Sequence, residues 1–210
     1  MAFPDRLTKG YRTFLGGRFA DEQDRYRDLA ATGQSPSIMV IGCVDSRVSP
    51  EVIFDAAPGE ILVARNVANL VPAYEAGGGQ HGASAALEFA VRALQVKHIV
   101  VLGHAFCGGI RAFATDAAPL SESDFIGKWV SQIAPAAAAL AQPKSDDDDY
   151  LHKLEFASVT LSLKNLMTFP FVAAAVEKGE LQLHGAYFGV ASGKLLVRNP
   201  QSGDFEPVAG

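Results

Sequence analysis

The chain has 210 residues, of which 49% are hydrophobic and 20% charged, so it is long enough for one domain with a large core and is not a wholly disordered chain. Its formal net charge of −5 argues against a nucleic-acid partner, because such proteins usually carry a basic surface. No apolar run approaches the ~18 residues of a membrane span, and the first ten residues lack the apolar segment of a secretory signal. We therefore expect a cytoplasmic protein with no membrane association. Two cysteines are too few for a disulfide scaffold.

The first 35 residues contain no strand-like run. Tyr11, Phe14 and Leu15 predict a helix there, whose apolar side must find a surface on this chain or on a partner. Three short β-branched runs then predict buried strands, at Ser37–Gly42, Ile61–Arg65 and His98–Gly103. The helical pattern of residues 82–95 lies between the second and third strands and predicts a crossover helix.

The second half of the chain is mainly helical by pattern. Ser121 with Asp124 resembles a capping box ahead of a helix carrying Phe125, Trp129 and Ile133, which Pro135 should kink or end. The acidic run of residues 146–149 is interpreted as a solvated loop leading into a helix N-terminus, with calcium binding as the alternative. The remaining predicted elements are a helix from Tyr150 that stops before Pro170, a helix at Phe171–Lys178, and strands at Leu181–Val190 and Leu195–Arg198 around the turn residues Ser192 and Gly193.

Strands that alternate with helices indicate an α/β fold. Parallel strands joined by helical crossovers form a sheet covered on both faces. The last two strands form a hairpin and should add an antiparallel edge. The prediction is a mostly parallel central β-sheet with an antiparallel edge strand, flanked by helices.

Two cysteines and a histidine lie at predicted strand ends. Cys43 follows the first strand, His104 follows the third, and Cys107 lies three residues further on. The carboxyl ends of parallel strands share one edge, where α/β proteins bind ligands. Two thiolates and an imidazole favour zinc, and three protein ligands leave a fourth position for water, as in catalytic zinc sites. The alternatives are buried structural thiols, a histidine that only caps backbone groups, and a disulfide between the cysteines.

Asp45 and Arg47 follow Cys43 at alternate positions. If the chain stays extended, all three side chains lie on one side. A carboxylate beside an arginine stays ionised, so Asp45 can accept a hydrogen bond from zinc-bound water while Arg47 orients it. The alternatives are a surface salt bridge, or a helix cap by Ser46 or Ser49 ahead of Pro50 and Glu51.

In these and neighbouring residues, the chain resembles the β-class carbonic anhydrases, in particular their plant-type subgroup. The resemblance extends across roughly residues 34–113. The matching segments are Cys43-Val44-Asp45-Ser46-Arg47-Val48, Pro58-Gly59-Glu60, Arg65-Asn66-Val67-Ala68-Asn69-Leu70-Val71-Pro72 and Gly103-His104-Ala105-Phe106-Cys107-Gly108-Gly109, with Leu183–Tyr187 resembling the family's late strand.

The resemblance implies an enzyme that hydrates carbon dioxide reversibly to bicarbonate and a proton through zinc-bound hydroxide. One zinc per chain would be held by Cys43, His104 and Cys107, with Asp45 and Arg47 as catalytic residues. The family assembles as homodimers, often paired into homotetramers, with an N-terminal helical arm on the partner. Residues 1–210 would then be one domain, with an arm at 1–35 and an α/β core at 36–210.

The family's substrate pocket corresponds to Gln34 as an amide donor and to Leu62, Val67 and Phe89 as apolar lining. Backbone N–H groups of Gly108 or Gly109 would hold a substrate oxygen. Leu62 stands where plant-type members have an aromatic residue, and Phe89 where they have tyrosine. The allosteric bicarbonate site of a bacterial subgroup needs an early tryptophan, and the only tryptophan here, Trp129, lies elsewhere.

The remaining histidines and Arg65 are expected to have no part in the chemistry. His81 is a proton-shuttle candidate by its side-chain chemistry, but an exposed loop histidine is the favoured interpretation. His98, His152 and His184 are expected to have no functional role, and Arg65 to serve the strand end or a dimer surface. Two thiolates make the zinc site formally neutral, which predicts activity that rises towards alkaline pH. The rival functions are hydrolysis of CS2 or COS, a non-catalytic zinc- or bicarbonate-binding role, and an interaction scaffold.

Overall fold

The computed structural model describes residues 3–77 and 81–208. The chain divides into two compact units, one up to Ser35 and one from Pro36 onward. The first unit contains three helices where the sequence predicts one: α1 (Asp5–Gly16), α2 (Arg18–Asp21) and α3 (Gln23–Thr32). The backbone of Gly17 is not helical (φ −123°, ψ −104°), which separates α1 from α2. Phe14 packs against Phe19 and Tyr26 across the bends, with ring centroids 5.7 and 6.1 Å away.

The second unit is built on a six-stranded sheet in the order β2-β1-β3-β4-β5-β6. The strands are β1 (Ile38–Cys43), β2 (Ile61–Asn66), β3 (His98–His104), β4 (Gln182–Phe188), β5 (Leu195–Arg198) and β6 (Phe205–Pro207). Strands β1 to β4 are parallel to one another, whereas β5 is antiparallel to both β4 and β6. The predicted fold class is confirmed. β6 is the strand that the sequence misses, because three residues ending in proline show no alternation.

Seven helices of the described chain belong to the second unit. They are α4 (Pro50–Ile53), α5 (Gly82–Glu88), α6 (Gly108–Ala114), α7 (Phe125–Val130), α8 (Ala134–Ala139), α9 (Asp148–Leu166) and α10 (Pro170–Glu177). Sequence patterns miss α6, whose seven residues are too few to show a clear helical period. Helix α4 begins where the sequence offered a helix cap as an alternative: Ser49 is at its N-cap position, although its side chain makes no capping hydrogen bond.

The two faces of the sheet are buried differently. Met39, Ile41, Ile99 and Val101 pack into a large cluster with residues of α5, α9 and α10. On the opposite face, Val40, Leu102 and Ala186 form a small cluster, and among the described helices of the second unit only α4 contributes to it. Helices therefore cover the two faces unequally, whereas the sequence predicts cover on both. Half-buried side chains surround the small cluster, among them those of Ile38, Ile61, Val100 and Leu195.

Two predicted helices differ in their bounds. The helix predicted over 82–95 is α-helical only to Glu88, and a π-helical turn at Phe89–Ala93 completes it. The helix predicted from Ser121 begins after Asp124, whose side chain accepts the N–H of Gly127 at 3.0 Å. A 3-10 turn at Ser131–Ile133 separates α7 from α8, so Pro135 lies in the first turn of a new helix, where proline needs no N–H partner.

The acidic run leads into a helix, as predicted. Asp147 is the N-cap of α9 and accepts the N–H of Tyr150 at 2.9 Å. Asp148 and Asp149 occupy the first turn, where the helix dipole favours negative charge.

Among the described helices, none is both long and apolar enough to cross a membrane alone. Helices α9 and α10 meet the length and composition requirements only when taken together, and an 88° bend separates them.

The contact between β3 and α9 can be tested at Gly103. A Cβ atom there would lie 2.6 Å from Cγ2 of Val159, so Gly103→Ala should reduce the free energy of unfolding by about 1–3 kcal/mol, the usual cost of overpacking. Urea denaturation measures the change. Gly82→Ala is the control, because a Cβ at Gly82 would have no heavy atom within 4 Å. Equal stabilities of the two variants would contradict this packing.

Candidate metal centre

Three potential ligands meet at the carboxyl edge of the sheet. Cys43 ends β1, His104 ends β3, and Cys107 directly precedes α6. One ligand atom from each lies within 4.8 Å of the others, and all three residues are buried. The parallel register of β1 and β3 brings the first two ligands together, as the sequence predicts. Both cysteines are free thiols, so the disulfide alternative is not realised.

The imidazole of His104 is oriented for metal binding. Nδ1 lies 2.9 Å from the carbonyl oxygen of Ala105, to which it can only donate, so this nitrogen carries the proton. Nε2 is then the nitrogen with the lone pair, and it is buried without a hydrogen-bond partner among the described residues. A buried acceptor that lacks a partner is costly, and a cation beside the two sulfur atoms would satisfy it. Soft thiolate and imidazole donors suit zinc, so these residues fit the ion.

Backbone N–H groups surround the two sulfur atoms. The hydrogen bond between the cysteines, opposed by burial and aided by His104 and the N–H groups of Asp45 and Ala68, lowers the pKa of Cys43. The same hydrogen bond, together with burial, raises the pKa of Cys107. These opposite shifts make Cys107 the donor and Cys43 the acceptor of the hydrogen bond between them, with the proton on Cys107. Ligand thiols lose their protons on metal binding, so binding here should release that proton.

The turn from His104 to Cys107 depends on a residue in the left-handed region. Phe106 has φ 59°, which is uncommon for a residue with a bulky side chain. Contacts from separate parts of the fold hold its neighbours. Ala105 N–H donates to the Phe188 carbonyl at 3.0 Å, and Cys107 N–H donates to Oε1 of Glu155 at 3.0 Å. The carbonyl of Phe106 accepts a hydrogen bond from Nη2 of Arg47 at 3.1 Å.

Asp45 and Arg47 form a paired unit beside the ligands. Nε of Arg47 lies 3.0 Å from Oδ1 of Asp45, and Nη2 lies 2.7 Å from Oδ2. The alternation of Cys43, Asp45 and Arg47 assumed an extended chain, but the chain is not extended here. It turns back, with the backbone N–H of Arg47 bonded to Oδ1 of Asp45 at 2.9 Å, so the two side chains meet through a local turn. The hydrogen bond from Arg47 holds the pKa of Asp45 well below its usual range.

Arg65 fixes the backbone that carries this pair. Its Nε donates to the Cys43 carbonyl at 2.7 Å, and its Nη2 donates to the Asp45 carbonyl at 2.7 Å. The sequence places Arg65 at a strand end without a chemical role. Its position opposite Gly42 in the parallel register is the signal that places it within reach of Cys43.

The predicted pocket residues are only partly brought together. Val67 and Gly109 are in close contact, because a Cβ at Gly109 would lie 2.8 Å from Cγ1 of Val67. Nε1 of Trp129 donates to the Val67 carbonyl at 2.8 Å, a support that the sequence did not predict. The N–H of Gly109 is directed at the sulfur of Cys107.

The other three predicted pocket residues lie on separate elements, and an apolar groove lies beside Val44. Leu62 lies half-buried on β2, Phe89 is 47% exposed on the π-helical turn, and Gln34 belongs to the first unit. An open groove of about 480 Å³ adjoins Cys43; its lining includes Val44, Val67, Phe125, Ile126 and Trp129.

The other described histidines are not among the metal-binding group. His98 and His184 lie towards the amino-terminal ends of β3 and β4, and Nδ1 of His98 is 3.1 Å from Nε2 of His184. Burial lowers the pKa of His184, and the charge of His98 lowers it further. His81 lines a groove with Tyr74 and Glu88.

Residues 38–195 match the family model described as carbonic anhydrase. Two relatives from Arabidopsis thaliana are beta carbonic anhydrase 6, mitochondrial, at 35% identity over 92% of this chain, and beta carbonic anhydrase 5, chloroplastic, at 36% over 88%. The chain belongs to the β-class carbonic anhydrases. This family of zinc lyases shares the hydration of CO2 as its reaction. The chain spans 67% and 61% of the lengths of these two relatives, about two thirds.

Solved structures of β-class carbonic anhydrases share the fold. The structure of the β-carbonic anhydrase CcaA has a TM-score of 0.88 at 28% identity, covering 98% of this chain and 92% of that one. Structures of two tetrameric β-carbonic anhydrases from Sordaria macrospora include a chain with a TM-score of 0.79 at 27% identity, covering 91% of this chain and 94% of that one.

Removal of a ligand sulfur tests the metal centre of this carbonic anhydrase. The purified chain should hold one zinc, whereas Cys43→Ser and Cys107→Ser should bind it at least ~10-fold more weakly, because a neutral hydroxyl replaces a soft thiolate. Metal analysis after dialysis against a chelator measures the content. Val44→Ala, at an exposed neighbouring position, is the control. Full zinc retention in both cysteine variants would contradict the assignment.

Proposed function

We propose that the chain catalyses the reversible hydration of CO2 to bicarbonate and a proton, with Cys43, His104 and Cys107 holding one zinc ion. The unpartnered, buried Nε2 of His104 beside two thiol sulfurs carries the proposal, together with the family membership. When bound, zinc supplies a Lewis acid that makes water a nucleophile near neutral pH.

Asp45 accepts the hydrogen bond of the attacking water in this proposal. Because its pKa is low, the carboxylate is ionised at neutral pH and acts only as an acceptor. Arg47 binds both carboxylate oxygens and so fixes the orientation of the acceptor. In the described part of the chain, the group of mutually close metal-binding atoms does not include Asp45. The pairing with Arg47 thus favours a carboxylate that faces the water rather than one that ligates the metal.

An apolar pocket would receive CO2, which carries no net charge or dipole. In the proposal, Leu62, Val67 and Phe89 supply the apolar lining, and the Gln34 side-chain amide and the Gly108 N–H act as hydrogen-bond donors. Phe89 has no hydroxyl, so it can shape the pocket but cannot move a proton.

We propose that the chain forms a homodimer and that dimers can pair into a tetramer. Two apolar surfaces support this. One is the outer side of α1, where Leu7, Tyr11 and Leu15 are 55%, 60% and 40% exposed. The other consists of half-buried apolar side chains around the buried cluster of Val40, Leu102 and Ala186, among them Ile38, Ile61 and Leu195. We also propose one domain spanning residues 1–210 and a cytoplasmic location, in which the two free cysteines would stay reduced.

Stopped-flow assay of CO2 hydration at about pH 8.5, with zinc measured on the same sample, tests the reaction. Rapid hydration with one zinc per chain is the expected result. Zinc without hydration, combined with turnover of CS2 or COS, would mean that the enzyme hydrolyses those substrates instead. Zinc with no turnover of any of the three would make it a binding protein.

The role of Asp45 is tested by Asp45→Asn. The amide keeps the size of the side chain but loses the charge, so kcat should fall at least ~100-fold while zinc content is unchanged. Arg47→Lys should cause a smaller loss, because lysine keeps the charge but cannot bind two oxygens at once. Asp204→Asn, on the loop before β6, is the matched control. An Asp45→Asn variant with normal kcat would remove Asp45 from the mechanism.

The role of α1 in assembly is tested by the double variant Leu7→Glu/Tyr11→Glu. Charges in an apolar contact are costly to desolvate, so the variant should elute as a smaller species in size-exclusion chromatography with light scattering. Lys9→Glu, an exposed position on the same helix, is the control and should keep the wild-type mass. An unchanged mass for the double variant would mean that α1 is not at the interface.

A further inference from the structure

Glu155 is a buried carboxylate directly behind a metal ligand. It lies on α9, is 5% exposed, and accepts the backbone N–H of Cys107 on Oε1 at 3.0 Å. The hydroxyl of Tyr187, on β4, donates to its other oxygen at 2.5 Å. Both carboxylate oxygens of Glu155 therefore accept a hydrogen bond, one from the backbone of Cys107 and one from Tyr187 on β4.

The contact continues from Tyr187 to a histidine near the surface. Nδ1 of His152 lies 3.0 Å from the Tyr187 hydroxyl oxygen. Because the single hydroxyl proton is donated to Glu155, Nδ1 of His152 must be the donor in this contact. The side chain of His152 is half exposed, and it lines a cavity of about 200 Å³ together with Phe106, Cys107, Glu155 and Tyr187. The donors thus follow one direction, from His152 through Tyr187 to Glu155.

The charge of Glu155 is unusual for this place. A buried carboxylate is costly unless hydrogen bonds or an opposite charge offset it. The sulfur atoms of Cys107 and Cys43, both ionised once a metal is bound, add negative charge next to the same segment. Among the described residues, the only ion-pair contact of Glu155 within 4 Å is Nδ1 of His152, at 3.8 Å. A neutral side chain would fill the space at lower electrostatic cost. The carboxylate contributes instead a strong, directional acceptor for the Cys107 N–H.

We propose that Glu155 is a positioning residue for the metal centre, acting through the backbone of Cys107, and that Tyr187 and His152 hold its carboxylate in place. The turn to which Glu155 is hydrogen-bonded contains Phe106 in the left-handed region, a conformation that phenylalanine does not favour by itself. Holding the Cys107 N–H sets where Cα, and hence Sγ, of that residue lies relative to Cys43 and His104. This inference rests on the proposed zinc site.

The experiment compares Tyr187→Phe, Glu155→Gln and Glu155→Ala with Tyr150→Phe in the full chain. Tyr150 is the matched control, because its hydroxyl is also buried but has no hydrogen-bond partner in the described structure. The readouts are zinc affinity by chelator competition and the visible absorption spectrum of the cobalt-substituted protein, which reports thiolate geometry. Melting temperatures of the metal-free proteins measure the purely structural cost.

Tyr187→Phe and Glu155→Ala should weaken zinc binding ~10-fold or more and shift the cobalt bands, as for other partners of metal ligands. Glu155→Gln keeps an acceptor for the Cys107 N–H and should recover part of the affinity lost in Glu155→Ala. Tyr150→Phe should leave both affinity and spectrum unchanged.

Lower melting temperatures with wild-type affinity and spectrum in Tyr187→Phe and Glu155→Ala would overturn the proposal and leave Glu155 as a core residue only. Equal losses in Tyr150→Phe would overturn it as well. A wild-type chain that binds neither zinc nor cobalt would instead refute the proposed metal site, so the two failures are distinguishable.

Discussion

The structure depends on holding one unfavourable turn between β3 and α6. His104 and Cys107 can reach the same ion only because Phe106 between them adopts a left-handed conformation. Such a conformation persists only where the surroundings determine it. Here the surroundings come from three distant segments: Arg47 after β1, Phe188 at the end of β4, and Glu155 on α9. The sheet and helix α9 thus hold the turn from Ala105 to Cys107 in place.

Arg47 connects this turn to the proposed acceptor of the water proton. The same Nη2 atom binds the Phe106 carbonyl and Oδ2 of Asp45. A shift of the turn would therefore also move the carboxylate. Arg65 makes a similar connection on the other side, since it binds the carbonyls of both Cys43 and Asp45. Metal ligands and acceptor are consequently held by shared contacts, which explains how a site built on two loops can keep a fixed geometry.

Local pattern and strand order predicted the sheet apart from β6 and placed the three potential ligands at strand ends. Buried β-branched runs located β1, β2 and β3, and the rule that parallel strands end at one edge brought Cys43 towards His104. The supporting residues were not predictable in this way. Glu155 and Trp129 contact the site from helices that lie far along the chain, and nothing in a helical period distinguishes a buried glutamate from an exposed one. The turn at Asp45 and the π-helical turn at Phe89 also escaped, because alternation assumes an extended chain and a helical pattern assumes a uniform helix.

The distribution of charge explains why so many supports are needed. Two ionised cysteines, Asp45 and Glu155 would place four negative charges around the site. A bound divalent cation and Arg47 would offset three of them, and Arg65 is near enough to offset the fourth through its bonds to the Cys43 and Asp45 carbonyls. Because like charges repel more strongly where water is excluded, each anion must be held in place by donors rather than left to relax. Backbone N–H groups at the sulfur atoms and hydroxyl and imidazole donors behind Glu155 provide this restraint. Binding of the metal and order in the turn are therefore expected to reinforce each other, since the cation relieves the repulsion that the turn concentrates.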